Sequence, residues 1–201
     1  MSAYVRLSGM ADNEDKDIAL VTRIAEGDKA AFRALFETYG ERVFRYVYRM
    51  VNDEGRAEEV TNDVMLEVWK GARKFEGRSK ASTWVLGIAR HLALNAIRGK
   101  QLVTVDLVDS PEVADGREPE ATVRDRDTVK QKLRVALAKL SSDHREVVEL
   151  AFFHGYSYQE VAEVMGCPES TVKTRMFHAK KQLRQALKHS GLDGMTLEAV
   201  P

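Results

Sequence analysis

Cationic and hydroxyl side chains are concentrated just after a sharp turn near the C-terminal end of this 201-residue chain. The turn is Gly166-Cys167-Pro168, and the residues that follow it contain far more Lys and Arg than acids. Over the whole chain, 31 Lys and Arg balance 31 Asp and Glu. An attraction to a polyanion must therefore come from where the charges lie. Side chains of these types bind the phosphates and base edges of nucleic acids.

Local capping signals predict two short helices on either side of this turn. Ser157 and Glu160 form a capping box, which predicts a helix from Tyr158 to Met165. Gly166 ends that helix, and Pro168 suits the first position of the next one, where its missing N–H is no loss. The inward face of the first helix is predicted to contain Val161, Ala162 and Met165.

The second helix has one apolar side and one polar side. Its apolar side is predicted to consist of Val172, Met176, Ala179, Leu183 and Leu187. A helix-turn-helix explains this distribution, because its second helix enters the major groove of DNA. An ordinary amphipathic helix with a solvated basic face is the alternative. The predicted DNA-contacting residues are Ser170, Thr171, Lys173, Thr174, Arg175, Phe177, His178 and Lys181.

The elements that precede this motif are also predicted to be helices, so the fold class is all-α. Apolar residues recur at helical spacing, and strand-like alternation is confined to residues 102–108. Asp28 can cap a long helix, with Gly27 closing the helix before it. Three apolar stripes predict one helical domain over residues 17–100. They are Phe32, Leu35, Phe36, Tyr39, Val43, Val47 and Met50; Ala57, Val60, Val64 and Val68; and Val85, Ile88, Leu92 and Ala96.

An acidic linker is predicted over residues 101–121, where Pro111, Gly116 and Pro119 interrupt the periodicity. A second small helical domain is expected over residues 122–190, with a helix that starts near Ser141 and runs to Phe153. The chain has no apolar run that could span a bilayer and no secretory signal, which predicts a cytoplasmic protein without membrane insertion. One Cys and five scattered His predict neither a disulfide framework nor a metal site, and no cofactor is expected.

The order of these parts resembles the extracytoplasmic-function class of bacterial sigma factors. "AEEVTNDVMLEVWKGARKFEGRSKASTWVLGIARHLALNAIRGK" is similar to sigma region 2, and "LSSDHREVVELAFFHGYSYQEVAEVMGCPESTVKTRMFHAKKQLRQAL" is similar to region 4. The resemblance implies that the first domain binds core RNA polymerase and opens the minus-ten element. It implies that the second reads the minus-thirty-five element. The implied partners are the beta-prime and beta subunits of core polymerase, promoter DNA and, in many members, an anti-sigma factor.

Two groups of residues in the first domain match functional positions of the family. An acidic edge at i+4 steps, with Asn62 beside it, matches the surface that docks on polymerase; a solvated acidic face is the alternative. This acidic edge consists of Glu59, Asn62, Asp63 and Glu67. A pocket for a flipped base needs an aromatic platform and polar groups beside a cationic track. The residues that match it are Phe75, Ser79, Lys80, Arg90, His91, Asn95 and Arg98.

Four roles stay open at the level of sequence. Phe75 suits a base platform or a staple between its loop and the core, and Trp69 suits the polymerase interface or the core. Packing is favoured over base contact for Trp84. The acidic linker imitates nucleic acid inside polymerase or serves as a flexible tether.

Two other classes of function compete with a sigma factor. A stand-alone helix-turn-helix regulator would use the C-terminal motif but leaves the acidic edge and the Phe75 to Lys100 residues unexplained. An enzyme acting on nucleic acid needs a convergent nucleophile, base, metal set or phosphate-binding glycine loop. The sequence displays none of these, so a non-enzymatic role is predicted.

Overall fold

The computed structural model describes residues 15–103, 131–133 and 135–189. Side chains are described up to Gly99 in the first of these ranges. Every helix and turn of the described residues fits the all-α prediction, and no strand occurs among them. The chain forms two compact units, one containing residues 15–103 and one containing most of the described residues beyond 131. Residues 104–121 of the predicted linker and residues 122–130 of the predicted second domain lie outside the described residues.

The first unit is a bundle of helices. Its elements are α1 (residues 15–25), α2 (Lys29–Val51), α3 (Glu54–Gly71), a 3₁₀ turn (Ala72–Lys74) and α4 (Ala81–Val103). Helices α2, α3 and α4 each pack against the other two. Helix α4 continues to Val103, three residues past the predicted domain end at residue 100.

Capping chemistry sets the start of α2, as predicted. Asp28 Oδ1 accepts hydrogen bonds from the N–H groups of Ala30, at 2.8 Å, and Ala31, at 3.1 Å. The Ala31 N–H and then the Arg23 side chain lower the pKa of Asp28 below its ordinary value of 3.8. Gly27, with φ of 91°, makes the left-handed turn between α1 and α2.

The core of the first unit confirms two predicted stripes in large part and corrects the third. On α2, Leu35, Val43 and Val47 are fully buried, but Phe36 is 40 % exposed because its ring lies over Gly40 at the helix flank. All four stripe residues of α3 are buried. On α4 the predicted arc is wrong, because this helix packs against both α2 and α3. Its buried residues are Ala81, Thr83, Val85, Leu86, Ala89 and Ala93, whereas Ile88, Leu92 and Ala96 are half-buried.

The second unit contains the helix-turn-helix. Its elements are α5 (residues 131–133 and 135–138), α6 (Ser142–Val148), a π-helical turn (Glu149–Phe153), α7 (Tyr158–Met165) and α8 (Glu169–His189). Ser141 caps α6 by accepting the His144 N–H at 3.4 Å. The α6 helix and the π-helical turn together end at Phe153, as predicted.

The α7–α8 motif has the predicted capping box and the predicted turn at Gly166. The Ser157 N–H donates to Glu160 Oε2 at 2.7 Å, and the Glu160 N–H donates to Ser157 Oγ at 3.3 Å, which completes the capping box. Gly166 is left-handed, with φ of 62°. One detail differs: α8 begins at Glu169, so Pro168 lies one residue before the first helical position. Its carbonyl accepts the Thr171 N–H at 2.9 Å.

The predicted apolar face of α8 is buried in full. Val172, Met176, Ala179, Leu183 and Leu187 are each at most 2 % exposed. Complete burial of an aliphatic side chain of this size contributes about 1.5–3 kcal/mol. The packing of this face fixes the rotation of α8 and therefore determines which side chains reach solvent.

Candidate nucleic-acid interfaces and acidic edge

All four residues of the acidic edge lie exposed on α3. Glu59 accepts from Arg56 Nη1 at 3.1 Å, and Glu67 accepts from Lys70 Nζ at 2.9 Å. These i,i+3 pairs are solvent-exposed and therefore weak. Asp63 has no ion-pair partner among the residues that the structure describes. The centre of the acidic edge is therefore accessible to a cationic partner.

An exposed leucine next to the acidic edge was missed by the sequence reasoning. Leu66 is 49 % exposed and lies three residues after Asp63 on α3. The signal was available, because Leu66 falls off the buried arc set by Val60, Val64 and Val68. An apolar residue surrounded by polar ones is typical of the centre of a protein interface. Trp69, by contrast, is half-buried and meets the Phe32 ring edge to face at 5.3 Å, so it takes part in the core.

The structure brings two polar residues of the predicted base pocket together on α4. His91 and Asn95 are exposed, and Asn95 Nδ2 lies 3.1 Å from His91 Nε2. The Asn95 amide is the donor of this contact in the His91 tautomer that carries its proton on Nδ1. Arg98 is exposed one turn further along, and Arg90 is half-buried beside His91. The pair presents amide and imidazole groups of the kind that bind base edges.

Phe75, the aromatic residue of the predicted pocket, lies in the loop before α4. Phe75 is half-buried, and its ring centroid is 4.9 Å from that of Trp84. Trp84 also packs against Gly71, where an added Cβ would lie 3.3 Å from its ring. Ser79 and Lys80 are half-buried in the loop before α4. Because a helix rises about 1.5 Å per residue, His91 lies on the order of 15 Å along the axis from the helix start.

The polar side of α8 is exposed in the way that the sequence predicts. Ser170, Lys173, Thr174, Phe177, His178 and Lys181 are exposed, and Thr171 is half-buried. Phe177, at 65 %, is the most exposed large apolar side chain among the described residues. Lys173 Nζ pairs with Glu169 at 2.7 Å, and the Thr174 hydroxyl donates to the Ser170 carbonyl at 2.9 Å. This surface combines cationic, hydroxyl and aromatic groups on one helix face.

One predicted DNA contact is engaged inside the second unit instead. Arg175 is half-buried, and its Nη2 lies 2.6 Å from Asp143 Oδ2 on α6. The neighbouring His178 is exposed, and its ring faces that of His144 with centroids 6.1 Å apart. No local sequence pattern connects α6 with α8, so sequence reasoning missed Asp143 and His144.

The described residues contain neither a cluster suited to a metal ion nor a membrane-spanning helix. No three His, Cys, Asp or Glu side chains there are grouped as they would be around a metal ion. No helix in the same ranges combines the length and apolar character that are needed to cross a bilayer.

Comparison with known proteins identifies the family of this chain. Residues 35–103 match the family model of Sigma-70 region 2, and residues 130–183 match that of Sigma-70 region 4. The chain is 32 % identical to the ECF RNA polymerase sigma factor SigX of Bacillus subtilis over 160 residues, which cover 77 % of this chain and 82 % of SigX. It is 29 % identical to the RNA polymerase sigma-H factor of Pseudomonas aeruginosa over 185 residues, which cover 87 % and 95 % of the two chains.

Two solved structures have the same fold. The structure of CnrH in complex with the cytosolic domain of CnrY matches with a TM-score of 0.64 and 20 % identity, covering 87 % of this chain and 98 % of the other. The sigma factor RpoE from Bartonella quintana, solved with the anti-sigma factor NepR, matches with a TM-score of 0.64 and 24 % identity. That match covers 78 % of this chain and 96 % of the other. Together with the two sigma regions and their order, these similarities show that the chain belongs to the extracytoplasmic-function class of RNA polymerase sigma factors, which direct the polymerase to promoters.

Proposed function

We propose that this sigma factor divides promoter recognition between its two units. The first unit binds core polymerase through the acidic edge of α3 and opens the minus-ten element with α4 and the loop before it. The second unit, over residues 122–190, reads the minus-thirty-five element as intact duplex with α8. The acidic segment between them tethers the two units while polymerase holds both.

The polymerase contact is supported by the charge and exposure of α3. Asn62 and Asp63 occupy the middle of an exposed polar edge, and the carboxylates of Glu59 and Glu67 flank them. A cationic surface of the beta-prime subunit complements this pattern, and the exposed Leu66 supplies apolar area beside it. Desolvating Asp63 against a cationic partner makes that contact sensitive to charge reversal.

The single observation that carries the proposal for duplex reading is the orientation of α8. Its apolar face is buried without exception, and Lys173, Thr174 and Phe177 all lie on the exposed side. A recognition helix in the major groove needs this arrangement of hydroxyl, cationic and apolar groups. Phosphate contacts from lysines then fix the register, and base-edge contacts supply the sequence preference.

The opening of the minus-ten element is supported by the α4 residues. His91 and Asn95 present neighbouring hydrogen-bonding groups, and Arg98 adds a cation one turn away. Phe75 offers a half-buried ring at the other end of the surface. An extruded base binds through stacking on an aromatic ring and hydrogen bonds to its edge. Capture of such bases stabilises the open state of the promoter.

The protein itself performs no bond-making chemistry in this proposal. It acts in the cytoplasm as a non-enzymatic subunit, and the polymerase synthesises RNA. Affinity for a promoter comes from two DNA contacts that act together once polymerase holds both units. The isolated chain should therefore bind duplex DNA weakly. An anti-sigma factor that blocks polymerase binding is a further partner proposed for this chain.

Run-off transcription tests the proposed function. Purified core polymerase is incubated with a genomic DNA library, with and without the full-length protein, and the transcripts are sequenced. We expect a defined set of new start sites that share two elements upstream. Sequence-specific duplex binding without polymerase, together with no new start sites, would instead identify a stand-alone regulator. A D63R variant serves as the matched control, because it should lose the transcripts while keeping the fold.

A further inference from the structure

The guanidinium group of Arg175 joins three parts of the second unit. Its Nη2 lies 2.6 Å from Asp143 Oδ2 in the first turn of α6. Its Nη1 lies 4.0 Å from Cys167 Sγ in the turn between α7 and α8. Arg175 itself belongs to α8, and its side chain is 27 % exposed, against 49 % for Asp143. Both terminal nitrogens of this arginine therefore point towards the protein.

A second contact between α6 and α8 involves the residue that follows Asp143. The rings of His144 and His178 face each other at a centroid distance of 6.1 Å. Asp143 and His144 are adjacent on α6, and Arg175 and His178 are three residues apart on one side of α8. The first turn of α6 therefore lies alongside the reading side of α8. The Ser141 cap fixes the start of that turn, because its hydroxyl accepts the His144 N–H.

We propose that Asp143 is a positioning residue for promoter recognition, acting through Arg175 to hold α6 and the α7–α8 turn against the recognition helix. This inference rests on the proposed function, in which α8 reads the upstream element. The contacts among Asp143, Cys167 and Arg175 form the Arg175 clamp. The clamp sets the angle at which Lys173 and Phe177 are presented to the groove.

The geometry argues against a direct DNA contact by Arg175. Arginine recognises phosphate and guanine through its outer nitrogens, and here Nη2 is ion-paired with Asp143 while Nη1 faces Cys167 Sγ at 4.0 Å. Releasing Arg175 to DNA would also leave the Asp143 carboxylate unpaired near the phosphates. Electrostatics alone and the clamp therefore make opposite predictions for the removal of the Asp143 charge. If long-range electrostatics governs binding, loss of the Asp143 charge strengthens the binding of DNA. If the clamp governs binding, the same loss weakens it.

The test uses full-length protein in complex with core polymerase on a promoter recovered by run-off transcription. We expect Asp143→Asn to reduce upstream-element binding about threefold to tenfold, because the pair is only partly exposed. The double variant D143R/R175D restores the pair with reversed charges and should recover most of the loss. Glu163→Gln, an exposed carboxylate on α7, is the control and should leave binding unchanged. Tighter binding by Asp143→Asn would overturn the inference.

Salt dependence distinguishes a positioning role of Arg175 from a direct contact between Arg175 and a phosphate. Each phosphate contact contributes about 0.9 to the slope of log K against log salt. Replacing Arg175 by Gln should lower affinity with an unchanged slope, because the clamp makes no phosphate contact. A slope reduced by about one unit would show that Arg175 binds a phosphate directly. Binding by the Asp143→Asn and Arg175→Gln variants is measured well below their melting temperatures, so that loss of folded protein does not contribute.

Hydrogen exchange of the free full-length protein separates the clamp from the proposed function. Asp143→Asn should speed exchange at the backbone amides of Cys167 and residues 169–173, while Glu163→Gln should not. Unchanged exchange after Asp143→Asn would overturn the clamp even if promoter binding fell. If exchange responds but the wild-type holoenzyme shows no upstream preference, the clamp stands and the reading of the minus-thirty-five element by α8 is rejected.

Discussion

The two surfaces that are proposed to face nucleic acid present their aromatic residues in opposite ways. In the first unit, Phe75 is half-buried and leans on Trp84, with ring centroids 4.9 Å apart. In the second unit, Phe177 is 65 % exposed and projects from α8. One ring is a half-buried platform, and the other projects from the helix with the His178 ring edge-on to it at a centroid distance of 5.5 Å.

This difference matches the two forms that promoter DNA takes. A supported ring suits a base that has already left the stack, because the base can lie against it and gain stacking energy. A projecting ring suits an intact major groove, where it can contact a thymine methyl group. The polar groups also differ. The side chains of His91 and Asn95 bond to each other, whereas Lys173 pairs with Glu169 and the Thr174 hydroxyl donates to a backbone carbonyl. The comparison predicts that variants of the two surfaces affect different steps of initiation.

The largest effect is expected where both surfaces depend on a shared contact. Replacing Asp63 by Arg places a cation against a cationic partner and should weaken core polymerase binding by about 10–100-fold. Upstream and downstream recognition should then be lost together, because neither unit works without polymerase. Affinity measured by titration of labelled core polymerase checks this prediction.

A charge reversal elsewhere on the same bundle is the control for Asp63. Glu41→Arg, on the exposed side of α2, removes only an i,i+4 pair with Arg45. It should leave polymerase affinity within about twofold of the wild type. Equal losses for both variants would mean that total charge, rather than the acidic edge of α3, governs docking.

The next largest effect should separate strand opening from initial binding. Replacing His91 and Asn95 together by Ala removes the paired hydrogen-bonding groups of α4. Opening should slow about tenfold, while the closed complex forms with nearly normal affinity. Permanganate reactivity of unpaired thymines follows the opening step, and electrophoretic mobility follows the closed complex. Equal loss in both assays would indicate that the pair supports the fold of the first unit instead.

A smaller effect is expected for the projecting ring of the second unit. Phe177→Ala should reduce selection among upstream elements about threefold to tenfold, which is the discrimination that one apolar base contact supplies. Phe177→Leu keeps an apolar group and should retain part of the selection among upstream elements. Binding selection from a library randomised in the upstream element measures this. An unchanged selected sequence with Phe177→Ala would remove Phe177 from the reading surface.

The smallest effect concerns a helix start that belongs to neither surface. Asp28→Asn keeps a capping side chain but loses the Arg23 ion pair and a charge at the α2 N-terminus, which should lower the melting temperature by a few degrees near neutral pH. Because folding lowers the pKa of Asp28, its stabilisation is present above its ordinary value of 3.8. The difference should disappear as the pH falls through the folded pKa. Calorimetry over that pH range checks the sign, and promoter selection should not change.

Local chemistry explains why the α7–α8 motif was predictable from sequence. The capping box of Ser157 and Glu160, the left-handed Gly166 and the period of Val172 and Met176 each depend on neighbours within a few residues. Such signals can be recognised from a few neighbouring residues in the sequence, without knowledge of the tertiary structure. The same holds for the Asp28 cap of α2. The family of the chain also followed from motifs that are contiguous in sequence.

Non-local packing explains what the sequence did not reveal. The buried arc of α4 depends on how it contacts α2 and α3 at once, so Ile88 and Leu92 were wrongly expected to be central to the core. The engagement of Arg175 depends on Asp143, which precedes the whole α7–α8 motif in the chain. Leu66 was overlooked although its position outside the buried arc of Val60, Val64 and Val68 indicated exposure, because that arc shows only where Leu66 lies and not what covers it.

Initiation kinetics test the division of labour between the two units most directly. The rate of promoter opening is measured against holoenzyme concentration, which yields a half-saturating concentration and a maximal rate for each variant. Replacing Lys173 and Phe177 by Ala should raise the half-saturating concentration at an unchanged maximal rate. Replacing His91 and Asn95 should lower the maximal rate at an unchanged half-saturating concentration. If both pairs alter the same parameter, the two surfaces do not serve separate steps and the account is contradicted.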